Sequence, residues 1–296
     1  MNRLLLALLV PTLLAACASS GTSAESAAPA TAGATASISA PTPGTVILAD
    51  LDAALQGDWR SAENRARDVH RHPRETLAFF NVAPDHTVVE ITPGGGWYSE
   101  ILAPYLARNG RYIAAVIDPA AQTEQRARDY YTKANAGLAA KFAADAERYG
   151  RAQTVAFDPK RPVLGAPGSA DVVLTFRNVH NWRADGNAEA MFRGFFDVLR
   201  PGGVLGVVEH RAKADVPADD KTGYVGQAQV IAMAQAAGFL LDAQSEVNAN
   251  PRDTKDHPNG VWTLPPVNRH DAQDAAKYRA IGESDRMTLR FVKPRA

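Results

Sequence analysis

Short apolar segments alternate with longer segments whose apolar residues recur at helical spacing, from about residue 51 onward. The short segments are rich in Val and Ile and are bounded by Gly or acidic residues, which is typical of strands. Strands are predicted at 87–91, 111–118, 154–157, 171–176, 204–208, 239–247 and 287–292. The fourth is nearly continuous in apolar character, which favours a parallel strand buried on both faces.

The longer segments predict helices at 51–80, 97–108, 120–149, 187–199 and 226–237, with Pro104 kinking the second. Strands that alternate with helices indicate an α/β fold, here a Rossmann-like, seven-stranded, mostly parallel sheet with helices on both faces. The stretch 248–286 is irregular and rich in Pro, Asn and Asp. A long loop in a compact domain is usually functional or disordered, so this region is predicted to lie on the substrate side.

The first 17 residues have the pattern of a secretory signal. A basic start precedes an apolar run over 4–14, which is too short to span a bilayer comfortably. The ending Leu14-Ala-Ala-Cys17 resembles the cleavage site of bacterial lipoproteins, which implies lipidation of Cys17. Cys17 is the only cysteine, so no intrachain disulfide forms; an ordinary signal with an incidental Cys is the alternative. Ala18 after the Cys implies a lipid anchor in the outer membrane, facing the periplasm.

Residues 18–47 are almost entirely Ala, Ser, Thr, Gly and Pro, and they contain too little apolar bulk to offset the entropy cost of ordering. They are predicted to form a flexible tether, which leaves 48–296 as the folded domain. The chain has 32 basic and 32 acidic side chains. This balance gives no indication of a nucleic-acid partner or a polybasic membrane patch, so membrane contact is expected through the lipid anchor only.

Three consecutive glycines, Gly94, Gly95 and Gly96, follow the first predicted strand and open a helix. This arrangement brings a backbone close to a nucleotide-like ligand, because glycines have no Cβ. The loop is also close to the dinucleotide fingerprint, which makes an NAD(P)-dependent oxidoreductase one alternative. Ser99 stands where that fingerprint has its third glycine, and Glu90 lies before the loop. Both features favour a different ligand.

Five motifs in order resemble those of the class I S-adenosylmethionine (SAM)-dependent methyltransferases. They are Glu90 with Gly94 and Gly96, Asp118 ending the second strand, Asp158 ending the third, 171–174 opening the fourth, and Leu199-Arg-Pro-Gly-Gly203 before the fifth. The first glycine of the family's loop is replaced by Thr92. The resemblance implies a class I methyltransferase type of sheet and SAM as the cofactor.

The same resemblance assigns roles to the three acids. Asp118 is expected to accept hydrogen bonds from the ribose hydroxyls, and Asp158 to lie near the adenine. Glu90 is expected either to accept from the amino end of the cofactor or to orient the loop. Acids at strand ends also cap the helices that follow, so capping stays the alternative for each.

Catalytic candidates follow the fourth and fifth strands, because ligands of open α/β sheets bind beyond the carboxyl ends of the strands. His180 is the first candidate for a general base, and His210, which follows Glu209 at the end of the fifth strand, is the second. Arg177 is predicted to hold an anionic substrate, and Trp182 to stack on a flat or cationic group. A hydrogen-bonded structural role is the alternative for each histidine.

Weaker signals lie elsewhere in the chain. His70 and His72 lack a clear third ligand, so no metal site is predicted. The polar segment 250–257 is interpreted either as an active-site loop or as an exposed turn, and Tyr224 is placed near the site at a helix start.

The function predicted is a SAM-dependent methyltransferase acting on an unknown small molecule or an envelope component. The compartment conflicts with this function, because a lipoprotein works outside the cytoplasm, where a supply of SAM is not expected. A ligand-binding lipoprotein with a methyltransferase fold and no turnover is therefore the alternative. The oligomeric state is not predicted.

Overall fold

The computed structural model of the protein describes residues 50–295. The predicted signal sequence, Cys17 and the 18–47 tether lie outside the described residues. Within residues 50–295, no helix combines the length and the apolar character that crossing a membrane requires.

Seven strands form one sheet in the order β3-β2-β1-β4-β5-β7-β6. The strands are β1 Thr87–Ile91, β2 Arg111–Ile117, β3 Gln153–Phe157, β4 Ala170–Phe176, β5 Leu199–His210, β6 Leu240–Ser245 and β7 Arg286–Val292. β1 to β5 pair in parallel, and β7 runs antiparallel to both β5 and β6. All seven strands predicted from the sequence are present.

Ten α-helices are assigned within the described residues beyond a short helical stretch at 50–55. They are α1 Ala62–Arg65, α2 Asp68–Arg71, α3 Pro73–Phe79, α4 Ser99–Leu106, α5 Gln125–Ala144, α6 Ala146–Tyr149, α7 Val179–Ala184, α8 Ala188–Val198, α9 Gln227–Ala236 and α10 Ala275–Ile281. Short 3-10 helices occur at Pro119–Ala121, Gly260–Thr263 and Ala272–Asp274.

The sheet is buried on both faces because two apolar clusters cover it. On one face Val89 and Ile91 of β1 pack with Phe192 and Phe195 of α8. On the other, Val88 packs with the apolar side of α4. Successive residues of a strand point to opposite faces, so the burial of every residue from Val88 to Ile91 places helices on both sides. The predicted fold class is thus observed.

Three predicted elements differ from the structure, and one element was missed. The helix predicted over 51–80 is four short pieces, because His72 adopts a left-handed φ of 39° and Pro73 starts a new helix after it. The helix predicted over 120–149 is a 3-10 turn followed by α5 and α6. The segment 200–203, predicted to lie before the fifth strand, is inside β5, where the pairing with β4 shifts register between Ala170 and Val172. The short helix α7, which carries His180, was not predicted.

Candidate active site

The carboxyl ends of β1, β4 and β5 meet at one edge of the sheet and open into a cavity of about 540 Å³. The loop after β1 contributes Thr92 to Gly95, and the segment after β4 contributes Arg177 and His180. His210 ends β5 on the same cavity. The structure thus brings together the glycine loop and all three predicted catalytic residues. Trp97, Trp262, Ser284 and Arg286 also line it and were not predicted.

The glycine loop is shaped by backbone conformations that favour glycine. Gly94 and Gly96 have φ values of 59° and 78°. A Cβ added to Gly94 or Gly95 meets no heavy atom within 4 Å, whereas one on Gly96 lies 3.0 Å from a methyl carbon of Leu138. Gly94 and Gly95 therefore leave backbone open to the cavity, while Gly96 permits close packing of α5. This open backbone fits the close approach of a nucleotide-like cofactor.

Glu90 does not face the cavity; it is buried under the loop. Its Oε2 accepts a hydrogen bond of 2.6 Å from the hydroxyl of Tyr112, which in turn lies 2.7 Å from Ser99 Oγ. Burial raises the pKa of Glu90 to about 7, against the opposing effect of the Tyr112 and Ser99 hydrogen bonds. The arrangement supports the loop-orienting role predicted as one of its two alternatives.

We expect Glu90→Gln to remove a pH dependence of stability. Because the folded pKa is raised, the carboxyl group stabilises the fold below pH 4.5 and loses that contribution as the pH rises through 7. Between pH 4.5 and 8, the free energy of unfolding of the variant should rise by up to about 3 kcal/mol relative to that of the natural protein. Urea unfolding across this range measures the gain. Exposed Glu75→Gln is the control, and parallel curves for Glu90→Gln and the natural protein would contradict the expectation.

Asp118 and Asp158 lie just after strand ends as predicted, and both accept a backbone hydrogen bond. Asp118 Oδ1 accepts from the N–H of Ala120 at 2.9 Å and caps the 3-10 helix Pro119–Ala121, whereas Asp158 Oδ1 accepts from that of Lys160 at 2.9 Å within a turn. Asp158 lines a second cavity of about 300 Å³, which shares Tyr131 with the first. The cofactor contacts of these two acids remain predictions, and helix capping is observed for Asp118.

His180 is oriented by a buried carboxylate. Its Nδ1 lies 3.1 Å from Oε1 of Glu209, which is fully buried at the end of β5. A carboxylate oxygen only accepts, so Nδ1 carries the proton in this pair and Nε2 keeps its lone pair. Glu209 also accepts backbone N–H bonds from Val179, His180 and His210. These bonds hold the carboxylate rigidly, and a base with a defined tautomer lines the cavity.

His210 is the neighbour of this pair, with its ring centroid 5.5 Å from that of His180. Its Nδ1 lies 2.5 Å from Ser284 Oγ. Burial, followed by the nearby His180 and three arginines, holds the pKa of His210 well below its usual range. His210 is therefore neutral at physiological pH, and Ser284 fixes its orientation.

Among the described residues, His180, Glu209 and His210 form one group whose potential ligand atoms lie within 4.8 Å of one another. Both oxygens of Glu209 already accept hydrogen bonds, and the arginines that lower the pKa of His210 also oppose a cation. We therefore interpret the group as acid–base machinery. The absence of a metal site stays a prediction.

Four arginines that border this cavity surround a single carboxylate, Glu283. Of these, only Arg177 was predicted. The others are Arg67, Arg71 and Arg286, from segments more than 200 residues apart. The one signal in the sequence is the spacing of Arg67 and Arg71, which places two cations four residues apart.

One aromatic prediction is wrong, and one loop serves a structural purpose. Trp182 is only 3% exposed and packs on Phe195 in the core, so it does not meet substrate. Tyr224 lies near the site just before α9, as predicted, with its ring centroid 6.4 Å from that of His210, but it is buried and donates to Asp253 at 2.9 Å. Asp253 also contacts His257 Nε2 at 2.9 Å and the Asp285 N–H at 2.8 Å. The segment 250–257 is thus tied into a buried polar network.

No protein-family model and no curated protein matches the chain. Among solved structures, it is similar to the [4+2]-cyclase SpnF, with a TM-score of 0.52 and 16% identity over 87% of this chain and 98% of that one. The predicted fold is confirmed. A SAM-dependent methyltransferase from Aquifex aeolicus has a TM-score of 0.48 and 11% identity over 83% and 98% of the two chains. The glycopeptide N-methyltransferase MtfA has a TM-score of 0.48 and 14% identity over 79% and 100%.

Proposed function

We propose that the protein is a SAM-dependent methyltransferase acting on a small molecule. The observation that carries the proposal is the shared cavity, which joins the open backbone of Gly94 and Gly95 to the oriented His180. The order of motifs from Glu90 to Leu199-Arg-Pro-Gly-Gly203 supports SAM as the ligand of this loop.

The residues around the cavity have distinct tasks in this reaction. The loop from Thr92 to Gly95 would hold the cofactor, which when bound supplies an electrophilic methyl group on a sulfonium sulfur. His180 Nε2 takes the proton from the acceptor heteroatom as that atom attacks, and Glu209 stabilises the imidazolium that forms. The acceptor would receive the methyl group that the cofactor supplies, while the proton released goes to His180. Trp97 and Trp262 line the cavity that would hold the acceptor.

Gly95→Ala tests the placement of the cofactor. The added methyl group meets no protein atom within 4 Å, so stability should be unchanged, while affinity for SAM should fall about tenfold or more. Calorimetry of the full-length protein with SAM and S-adenosylhomocysteine measures this change. The Gly96→Ala control is expected to lose stability instead, because its φ is 78° and Leu138 is close. Failure of both ligands to bind the natural protein would overturn the proposal, and binding of NAD(H) in their place would favour the oxidoreductase.

A binding protein without turnover is the second candidate, and the position of α5 favours it. Tyr130 and Tyr131 line the space beside Thr92 and Gly94, where only about 20 Å³ is left. Asp118 meanwhile accepts a hydrogen bond from the backbone N–H of Ala120. SAM that binds but transfers no methyl group to any fraction of a small-molecule extract would support this candidate.

We also propose that Cys17 is lipidated and anchors the domain in the bacterial envelope, facing the periplasm. The support is the Leu14-Ala-Ala-Cys17 pattern followed by the tether composition of 18–47. Cys17→Ser is expected to move the protein from the membrane to the soluble fraction after cell fractionation. Ser19→Ala, two residues further on, is the matched control. A Cys17→Ser protein that stays with membranes would exclude the lipid anchor.

A further inference from the structure

Four guanidinium groups converge on Glu283, a set called here the guanidinium cluster: Arg67, Arg71, Arg177 and Arg286. Glu283 Oε1 accepts from Arg67 Nε at 2.7 Å, and Oε2 accepts from Arg71 Nε at 3.2 Å and from Arg286 Nη2. Arg177 Nη1 lies 3.8 Å from Oε2. Burial opposes the ionisation of Glu283, but the four arginines outweigh it and hold its pKa well below its ordinary range.

One carboxylate leaves the guanidinium cluster with three uncompensated positive charges. Glu90 is the nearby buried acid, and with a pKa of about 7 it offsets at most one of them. Burial, followed by the neighbouring arginines, lowers the pKa of Arg71 and brings that of Arg177 to about 10. Guanidinium groups stay protonated in proteins, so the fold maintains an excess of positive charge, partly buried, that costs stability.

Two donors of the guanidinium cluster have no partner among residues 50–295. Arg67 Nη2 and Arg286 Nε are buried without a hydrogen-bond acceptor. Arg177 makes the 3.8 Å ion contact, and its backbone holds a φ of 62°, a left-handed conformation that L-residues adopt at a cost. Buried polar groups are normally paired, and strained residues gather at functional sites. These unpaired donors are therefore available for an acceptor brought by a ligand.

The guanidinium cluster borders the cavity that also contains His180, so a ligand could reach both. All four of its arginines line that cavity. The guanidinium carbon of Arg71 lies 4.7 Å from the centroid of the Trp97 ring, a cation–π contact that helps to hold this side chain in place. Planar guanidinium forks match the oxygens of phosphate and carboxylate groups, and charge-assisted bonds to them are strong.

We propose that the cavity takes a methyl acceptor carrying a dianionic group, either a phosphate monoester or two carboxylates, which the guanidinium cluster binds. This inference rests on the proposed function, because only a methyltransferase has a methyl acceptor. It adds the chemical class of that acceptor. Glu283 holds the arginines in position but neutralises only one of their four positive charges. The ligand supplies further negative charge. Arg177, with its single ion contact, is the residue most dependent on that ligand.

The test is calorimetry of the full-length protein with inorganic phosphate, succinate and choline as probes, without SAM. Phosphate or succinate should bind with a Kd of about 1 mM or tighter, choline should not, and the affinity should fall in about 0.5 M NaCl. Binding of phosphate would identify the anionic group of the acceptor as a phosphate monoester, and binding of succinate would identify it as a pair of carboxylates. Binding of neither, or equal binding of choline, would overturn the inference.

Variants separate the anion site from a general effect of charge. Arg177→Met should weaken the bound anion by about tenfold or more, because a charge-assisted contact is lost, while the melting temperature is kept or raised. Arg65→Met, at an exposed position next to the cluster, should leave anion affinity unchanged. Arg177→Lys retains the positive charge but lacks the planar guanidinium group. Its anion affinity should therefore lie between those of the natural protein and Arg177→Met, and it also gives a result if Arg177→Met fails to fold. Unchanged anion affinity in both Arg177 variants would overturn the inference.

The two proposals fail in different ways. A protein that binds phosphate or succinate but not SAM keeps the anion site and loses the methyltransferase function. A protein that binds SAM but none of the anions keeps the proposed function and loses the inference about its acceptor.

Discussion

His180→Ala is expected to lower the rate of methyl transfer by about 10²- to 10⁴-fold, the range in which positioned general bases act. The reason is geometric, because Glu209 holds Nδ1 at 3.1 Å and leaves Nε2 as the acceptor for a proton in the cavity. Transfer from SAM carrying a labelled methyl group into fractions of a small-molecule extract measures the rate. Affinity for SAM itself should be retained, since the glycine loop is untouched.

A matched control and a positioning variant make this expectation specific. His86 lies at the opposite edge of the sheet, immediately before β1, so His86→Ala should keep the natural rate. Glu209→Gln should keep a reduced rate but shift its pH profile, because an amide in place of the carboxylate no longer favours the Nδ1–H tautomer or the imidazolium. A His180→Ala protein as active as His86→Ala would remove His180 from the reaction.

Glu283→Ala is expected to have the largest effect on stability, a loss of about 3–5 kcal/mol in the free energy of unfolding. The carboxylate is 2% exposed and is the shared counter-ion of Arg67, Arg71, Arg177 and Arg286. Removing it leaves four clustered guanidinium groups that repel one another, of which those of Arg71 and Arg286 are buried. Denaturant unfolding at neutral pH measures the loss.

Exposed Glu246→Ala is the comparison for Glu283→Ala. Glu246 forms an ion pair with Arg211 at 2.7 Å but is 68% exposed in its side chain, so its removal should cost less than about 1 kcal/mol. Phosphate added to Glu283→Ala should restore part of the lost stability if anions occupy the guanidinium cluster. A Glu283→Ala protein as stable as Glu246→Ala would show that the four charges do not depend on this carboxylate.

The sheet was predictable because its signals are local. β4 shows its burial on both faces as a nearly continuous apolar run, and the glycines after β1 predict a turn that other residues would strain. The elements that were predicted wrongly are determined by contacts and backbone conformations that the local sequence pattern does not indicate. Leu199 to Gly203 has the composition of a turn, but pairing of Leu199 with Ala170 draws it into β5. The helix predicted over 51–80 is broken by the left-handed His72.

The site was predictable only where its residues follow strand ends. Arg177, His180 and His210 were found because parallel strands bring their carboxyl ends to one edge. Glu209 was named only as the neighbour of His210, since its role depends on where the α7 backbone lies. Arg67, Arg71 and Glu283 were missed because their meeting depends on side chains that lie 212 and 216 residues apart in sequence. No local pattern encodes such a contact.

The antiparallel pairing of β7 with β5 has a consequence for the order in which the protein assembles. Arg67, Arg71 and Arg177 are synthesised long before Glu283, the carboxylate they share. Contacts of such high sequence separation form slowly, because the intervening chain must first close. Until β7 pairs, the three cations remain mutually repulsive and hydrated, and the cavity lacks the wall that Arg286 supplies. The ligand site therefore forms late in folding, and binding of a ligand to it indicates that β7 has paired with the sheet.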